Sequence, residues 1–257
     1  MTTLEVLLLL AVLALICEYV DATLGMGFGT ILSPALIILG YLPIVFVPVV
    51  LFSQFLGGIV SSIFHHNLEN MHLSAEPRQR HALFVFLITG MLGVILSTIS
   101  MIVLPSIYVE IYIAAAVTAM GLVMLWMNDR RFTYSPIKLA AMGLIAAFNK
   151  GISGGGYGPI TVGGQMLSDI PPRAAVAITA LVESLICIVG FVIHLVWMGV
   201  PDIVMLASLS VGAVIAAPLS AMTIAKIHQH QVKDVVAVST LTIGLVTLFW
   251  VLITGFA

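Results

Sequence analysis

Ten apolar runs, separated only by short polar or Pro/Gly punctuation, occupy almost the whole chain. They fall at approximately 4–20, 25–40, 43–64, 82–104, 107–127, 137–149, 154–168, 173–197, 202–225 and 234–256. A bilayer core takes about 20 helical residues, with a range of about 17–25. Runs three, four, five, eight, nine and ten reach that length and the first barely does; the second, sixth and seventh fall short. Of the 257 residues 61% are hydrophobic and 8% charged, against about 45–50% and about 25% in soluble domains. Too little polar surface exists to enclose a soluble particle of this size. The expected fold is therefore all-α, a polytopic integral membrane protein. No polar stretch is long enough to form a soluble catalytic domain.

Charge narrows the function further. A net charge of −2 with nine Lys and Arg lacks the basic footprint that nucleic-acid binding requires. Cys17 and Cys187 lie inside apolar runs and read as small core residues rather than a disulfide or metal pair. No glycine loop ending in Lys-Ser or Lys-Thr is present, so neither an ATP site nor a cofactor is expected. The start of the chain carries neither a basic region nor a small-residue cleavage site, and the first run is expected to stay in the membrane.

Orientation follows from the basic residues. Arg78, Arg80, Arg130, Arg131, Lys138, Arg173, Lys226 and Lys233 all fall between runs on one side, and Lys150 alone falls on the other. The positive-inside rule puts the 65–81 and 128–138 loops in the cytoplasm and both termini outside the cell membrane.

Sliding the sequence along itself until Gly25 meets Gly154 superimposes two glycine tracts, Gly25-Met26-Gly27-Phe28-Gly29 on Gly154-Gly155-Gly156-Tyr157-Gly158. The register continues without a gap through Ile31/Ile160, Pro43/Pro172, Val47/Val176, Leu56/Leu185, Ile59/Ile188 and Val60/Val189 to His65/His194, ten identities in all. Shared apolar composition would supply roughly three or four. Residues 1–128 and 129–257 are thus expected to be two repeats of five segments. An odd number of segments makes the second repeat enter the membrane from the opposite face, as in many secondary transporters. Such repeats place their site at short, Gly/Pro-interrupted segments in matching positions. Broken or re-entrant helices are expected at both tracts.

A helix that starts inside the membrane presents unpaired N–H groups carrying partial positive charge. Glycine lets an anion approach them. On this basis Gly25, Gly27 and Gly29, with Gly154, Gly155 and Gly156, are expected to cradle a small anionic substrate, assisted by Lys150 and Gln54. The alternative use of such glycines is close helix packing. A charge at the centre of a spanning helix costs roughly 2.5–3.5 kcal/mol on insertion scales, so Glu18, Asp21 and Glu183 need a purpose. Proton coupling through them is the expectation, with Asp21 or Glu18 as counter-charge to Lys150. Helix capping at opposite surfaces is the alternative for Asp21 and Lys150, which match in the repeat, as Gln54 and Glu183 do. His65, His66, His72, His81 and His194 fit no compact metal-ligand spacing and are read as interfacial, satisfied side chains. Glu110 reads as an interfacial carboxylate at the start of run five.

The first tract, followed by Pro34, Leu36 and Gly40, resembles the glycine-rich signature of the TauE/SafE sulfite exporter family. Gly154 to Gly158, followed by the Ala-rich 173–180 stretch, resembles its second copy. The resemblance spans nearly the whole chain. It implies a secondary transporter of sulfite, sulfonates or related anions. Two departures are Gly163 where the first repeat has Pro34, and Pro159 where it has Thr30. Protons, a small anion and the lipid bilayer are the expected partners, and a homo-oligomer is compatible with this plan. Two rivals remain. One is an intramembrane serine protease using Gly151-Ile152-Ser153-Gly154 with His194 as base. The other is an anion channel selective through backbone dipoles.

Overall fold

The computed structural model describes residues 3–25, 27–126, 135–223 and 229–254. Met26, Arg130, Arg131 and Lys226 lie outside them. The described residues form ten helices and no strands: α1 (Thr3–Leu24), α2 (Phe28–Ile38), α3 (Pro43–Asn67), α4 (Pro77–Val103), α5 (Ser106–Trp126), α6 (Pro136–Ser153), α7 (Tyr157–Leu167), α8 (Pro172–Met198), α9 (Ile203–Thr223) and α10 (Gln229–Thr254).

Each helix corresponds to one apolar run, with shifted ends where local chemistry decides. Pro43, Pro77, Pro136 and Pro172 open α3, α4, α6 and α8. A proline there loses no hydrogen bond, and its fixed φ suits the first helical position. This starts α4 ahead of the apolar run at 82. In turn, α6 outlasts its expected end at 149 and continues through Lys150 to Ser153, because the lysine is buried against a partner in the fold.

Seven of the described helices, α1, α3, α4, α5, α8, α9 and α10, are long and apolar enough to cross a bilayer. By contrast α2 and α7 have 11 residues each. At 1.5 Å per residue that is about 16 Å, roughly half of a bilayer core of about 30 Å. Polarity is distributed inside out. Ile88, Leu92 and Leu96 line the outside of α4, and Val211, Ile215 and Leu219 that of α9, all exposed, while Glu18, Asp21, Gln54, Lys150 and Glu183 are buried. Only a lipid surround makes that arrangement favourable. The chain is a multi-pass membrane protein.

Small residues set the packing, as expected where backbones approach closely. In the centre α3 crosses α8 antiparallel, with Gly58 against Ser184 and Gly190 against Leu51. The α4–α6 seam is parallel: Gly143 meets Thr89, Gly93 meets Ala147 and Gly151 meets Ser97. The α5–α10 seam is antiparallel, Gly121 meeting Leu241 and Gly244 meeting Thr118. Helix α1 lies along α9, which also packs on α3. Two apolar cores result. One gathers mainly α1, α2, α3, α5 and α9 around Phe28, Leu32, Phe46 and Leu209, joined by Met101 of α4, Ile152 of α6, Cys187 and Phe191 of α8 and Val251 of α10. The other gathers α4, α6, α7 and α8 around Phe86, Tyr157, Val176 and Ile186. Each core thus draws on both halves of the sequence, with α4 and α9 exchanged.

Between these bundles the two glycine tracts touch. A Cβ on Gly29 would strike the Gly154 carbonyl and the Gly155 backbone, with only main chain on the far side to yield. Nothing lies within 4 Å of a Cβ at Gly163. Gly29→Ala is therefore expected to lower stability by about 1–3 kcal/mol, the usual cost of overpacking. Gly163→Ala, in a helix interior, should be neutral or slightly stabilising. Thermal unfolding of the two variants in detergent checks the contrast.

Candidate functional site

The first helix break is built around an aspartate. Helix α1 ends at Leu24 and Gly25 adopts φ 71°, its N–H bonding the Asp21 carbonyl at 2.5 Å. Gly27 follows at φ 146°, a backbone state side chains rarely tolerate. The chain then reverses into α2, whose first residue, Phe28, donates its N–H to Asp21 Oδ1 at 3.2 Å. Asp21 Oδ2 accepts from Gln54 Nε2 at 3.0 Å. The positive start of α2 therefore already holds an anion, the protein's own carboxylate.

The second break is built around a lysine. Helix α6 ends at Ser153, Gly154 takes φ 73°, and its N–H bonds the Lys150 carbonyl at 2.8 Å. Gly156, at φ 76°, precedes α7, whose start has no side-chain cap. Asn149 Nδ2 donates to the Gly155 carbonyl at 2.8 Å, Ser153 Oγ donates to the Asn149 carbonyl at 2.7 Å, and Gly155 N–H donates to Ser153 Oγ at 3.1 Å. These bonds satisfy the backbone of a turn that lipid could not. Lys150 Nζ lies 2.7 Å from Glu183 Oε1, with side-chain exposures of 1% and 5%.

The register that lays Gly25 on Gly154 relates these contacts as well as the residues. Asp21 matches Lys150 and Gln54 matches Glu183; each residue before a break touches its partner in the neighbouring central helix. The bounds of α2 and α7 coincide in that register, Phe28 with Tyr157 and Ile38 with Leu167. The turns that follow match too, Gly40 at φ 87° corresponding to Asp169 at φ 61°. Gln54 and Glu183 stand near the midpoints of α3 and α8, so both breaks lie at mid-height. The site is a pair of like hairpins, one centred on a carboxylate and the other on an ammonium.

Several expectations are corrected by this geometry. Lys150 has Glu183 as its direct counter-charge, not Asp21 or Glu18. Depth along a helix is legible in sequence; the direction a side chain takes around it is not. Glu18 is nevertheless close, buried at 1% exposure. A Cβ at Gly57 would lie 2.8 Å from its Oε1, and its Oε2 has no hydrogen-bond partner among the described residues. Glu18 and Asp21 both lie within electrostatic reach of Lys150 and Glu183. Neither Asp21 nor Lys150 caps a helix at a membrane surface.

The glycines also do more packing than the cradle reading assigns them. Gly29 and Gly155 are pressed backbone to backbone, Gly25 lies against Val162 and Val176, Gly27 against Val20, Gly154 against Val50 and Gly156 against Asn149 and Met120. Of the two helix starts expected to be open, that of α2 has the Asp21 carboxyl on its Phe28 N–H, and among the described residues no side chain is bonded to the N–H groups of α7's first turn.

Among the histidines, His65 Nδ1 meets Asn70 Nδ2 at 2.9 Å. His194 is buried, and neither ring nitrogen finds a hydrogen bond among the described residues; it is not the satisfied side chain expected. The Ser153 hydroxyl engages the backbone of its own turn and does not bond His194, the base the protease reading assigns to it. No group of three or more His, Cys, Asp or Glu among the described residues is placed to hold a metal ion.

Sequence reasoning missed Asn149, which fastens the second turn, and the polar face Tyr157, Thr161 and Gln165 of α7 with Thr179 of α8. Their four-residue spacing on a short helix was the available signal.

Comparison with known proteins agrees with these features. The family model described as "Sulfite exporter TauE/SafE" matches residues 9–247. A Bacillus subtilis (strain 168) protein named "Probable membrane transporter protein YtnM" is 26% identical over 238 residues, covering 86% of this chain and 76% of that protein. No solved structure matches significantly.

Removing one member of a buried ion pair strands the other, at a cost of about 3–5 kcal/mol, whereas replacing both is far milder. Lys150→Met is expected to lose stability of that order, and Lys150→Met combined with Glu183→Met to recover most of it. A double-mutant cycle on thermal unfolding reads the difference.

Proposed function

Because the chain belongs to the TauE/SafE sulfite exporter family, a family of membrane transporters, we propose that it carries small sulfur-containing anions of the sulfite or sulfonate class by alternating access through a mid-membrane site. The observation that carries this reading is the fully buried Lys150 ammonium, held by one carboxylate at the height where two helices break. An intramembrane cation is costly unless it serves transport or a structural pair. A pair that only braced the fold would not account for the neighbouring start of α7, whose N–H groups have no side-chain partner among the described residues where α2 has Asp21.

In this reading residues 1–128 and 129–257 are inverted repeats. Helices α1 and α2 descend and return as a re-entrant hairpin from the outside, and α6 and α7 do so from the cytoplasm, with both termini outside the cell membrane. The matched contacts Asp21–Gln54 and Lys150–Glu183 support this, as do the parallel α4–α6 and antiparallel α5–α10 seams. The moving bodies are the two interleaved bundles rather than the repeats themselves. They part along the α3–α8 seam, where Gly29 leaves Gly154 and Gly155.

The substrate anion takes the place of Glu183 on Lys150 and is received by the Gly154–Gly156 backbone at the start of α7. A proton on Glu183 releases the ammonium, so proton and anion occupy the site together and their charges cancel. Glu18 and Asp21 supply the negative field that holds an empty, unprotonated site closed. Gln54 keeps Asp21 on α2, which leaves α7 as the anion-accepting start.

Proteoliposomes loaded with labelled sulfite, sulfonates or carboxylates test this. The native protein is expected to accumulate one of these anions against its gradient when a pH gradient is imposed. Glu183→Gln should keep exchange of labelled for unlabelled anion but lose the response to the pH gradient. Lys150→Met should lose both. Strictly downhill flux in the native protein, unaffected by either substitution, would mean a channel.

A further inference from the structure

The two hairpins differ most in how their short helices meet the central ones. On α7, Tyr157, Thr161 and Gln165 recur at four-residue spacing and so share one face. Thr161 and Gln165 meet Thr179 on α8, one turn before Glu183, and the Tyr157 hydroxyl lies 3.6 Å from where a Cβ on Gly90 of α4 would stand, beside Ile186 of α8. Gln165 Nε2 donates to Thr179 Oγ1 at 2.9 Å and to the Ala175 carbonyl at 3.3 Å, and Thr179 Oγ1 donates to Thr161 Oγ1 at 3.3 Å. Tyr157 Oη and Gln165 Oε1 are buried with no hydrogen-bond partner among the described residues. At the corresponding positions of the first hairpin stand Phe28, Leu32, Leu36 and Val50, every one fully buried. The fold can therefore close this seam with apolar side chains, and does so once. Buried polar atoms left unpaired cost about 1–3 kcal/mol each, so stability does not account for the polar version.

We propose that this seam is the substrate's route between Lys150 and the membrane face at which α7 ends, with Tyr157, Thr161, Gln165 and Thr179 as the groups that replace water around the anion. This rests on the reading of Lys150 as the anion's contact. Hydroxyl and amide donors exchange partners at little cost, so an oxyanion can pass from one to the next when α7 separates from α8. The α2–α3 seam has Phe28, Leu32, Leu36 and Val50 at the matching positions, with the buried Ser33 hydroxyl beside Val50 and Gly154 but no polar ladder along it, and stays shut. The polar seam ends beside Arg173, the side assigned to the cytoplasm by the positive-inside rule. Anion entry or exit on that side runs along α7. On the opposite side it runs outside the α2–α3 seam.

Cysteine accessibility tests the route without requiring a substrate. In a chain carrying Cys17→Ala and Cys187→Ala, Thr161→Cys is expected to react with a membrane-impermeant anionic methanethiosulfonate applied to the cytoplasmic face, while Leu32→Cys stays unreactive from either face. Labelling of neither, or equal labelling of both, would overturn the route. A second measurement uses the first hairpin's own residues. Gln165→Leu and Thr179→Val should keep or raise the melting temperature yet lower initial uptake of labelled sulfite tenfold or more; unchanged uptake per folded protein would overturn it as well. If Thr161→Cys labels as expected while the native protein moves no anion of the panel, the substrate reading fails and the route stands.

Discussion

A helix that stops halfway across a bilayer exposes backbone N–H and C=O groups that lipid cannot satisfy. In the proposed reading this chain does so at both glycine tracts, and much of its architecture deals with that cost. The breaks sit at mid-height, enclosed by the long helices. Their carbonyls are met by Asn149 and by the glycine caps, and one helix start is met by Asp21. No side chain among the described residues meets the other start, that of α7. A short helix in each hairpin follows directly, since a reversed chain at mid-height has only half a bilayer in which to return.

The electrostatics follow from the same constraint. Three carboxyl groups and one ammonium gather, all buried, where the breaks leave partial charges. Each carboxylate has a different arrangement: Asp21 accepts from a helix start and an amide, Glu183 pairs with Lys150, and Glu18 keeps one oxygen without a partner among the described residues. Similar groups in dissimilar surroundings are what a site needs if it is to bind one charge while releasing another.

The sequence made the elements and the depth of the site legible. All ten apolar runs became helices, the glycine tracts became the breaks, and Lys150, the one basic residue set apart from the other eight, turned out to be enclosed. The register between the halves even carried the right pairing, since Asp21 touches Gln54 and its counterpart Lys150 touches Glu183. That pairing stayed unread because matched residues were sought for contacts with each other, when matched contacts were the message. Ends of helices were misplaced where a proline or a buried partner outweighed hydropathy, as at Pro77 and Lys150. The polar face of α7 was overlooked because identities between the halves drew the comparison, while Gln165 against Leu36 and Thr179 against Val50 are differences.

The exchange of α4 and α9 between the two cores bears on how the molecule is made. Helix α1 lies along α9, which leaves the ribosome long after it. Until then Asp21 can reach its partners on α2 and α3, but the Ala11–Tyr19 face of α1 that packs on α9 has nothing to cover it. The first five helices accordingly have no finished structure of their own to settle into, and assembly waits for nearly the entire polypeptide. A nascent chain cut short before α9 would leave that face of α1 uncovered, a form suited to recognition by membrane quality control.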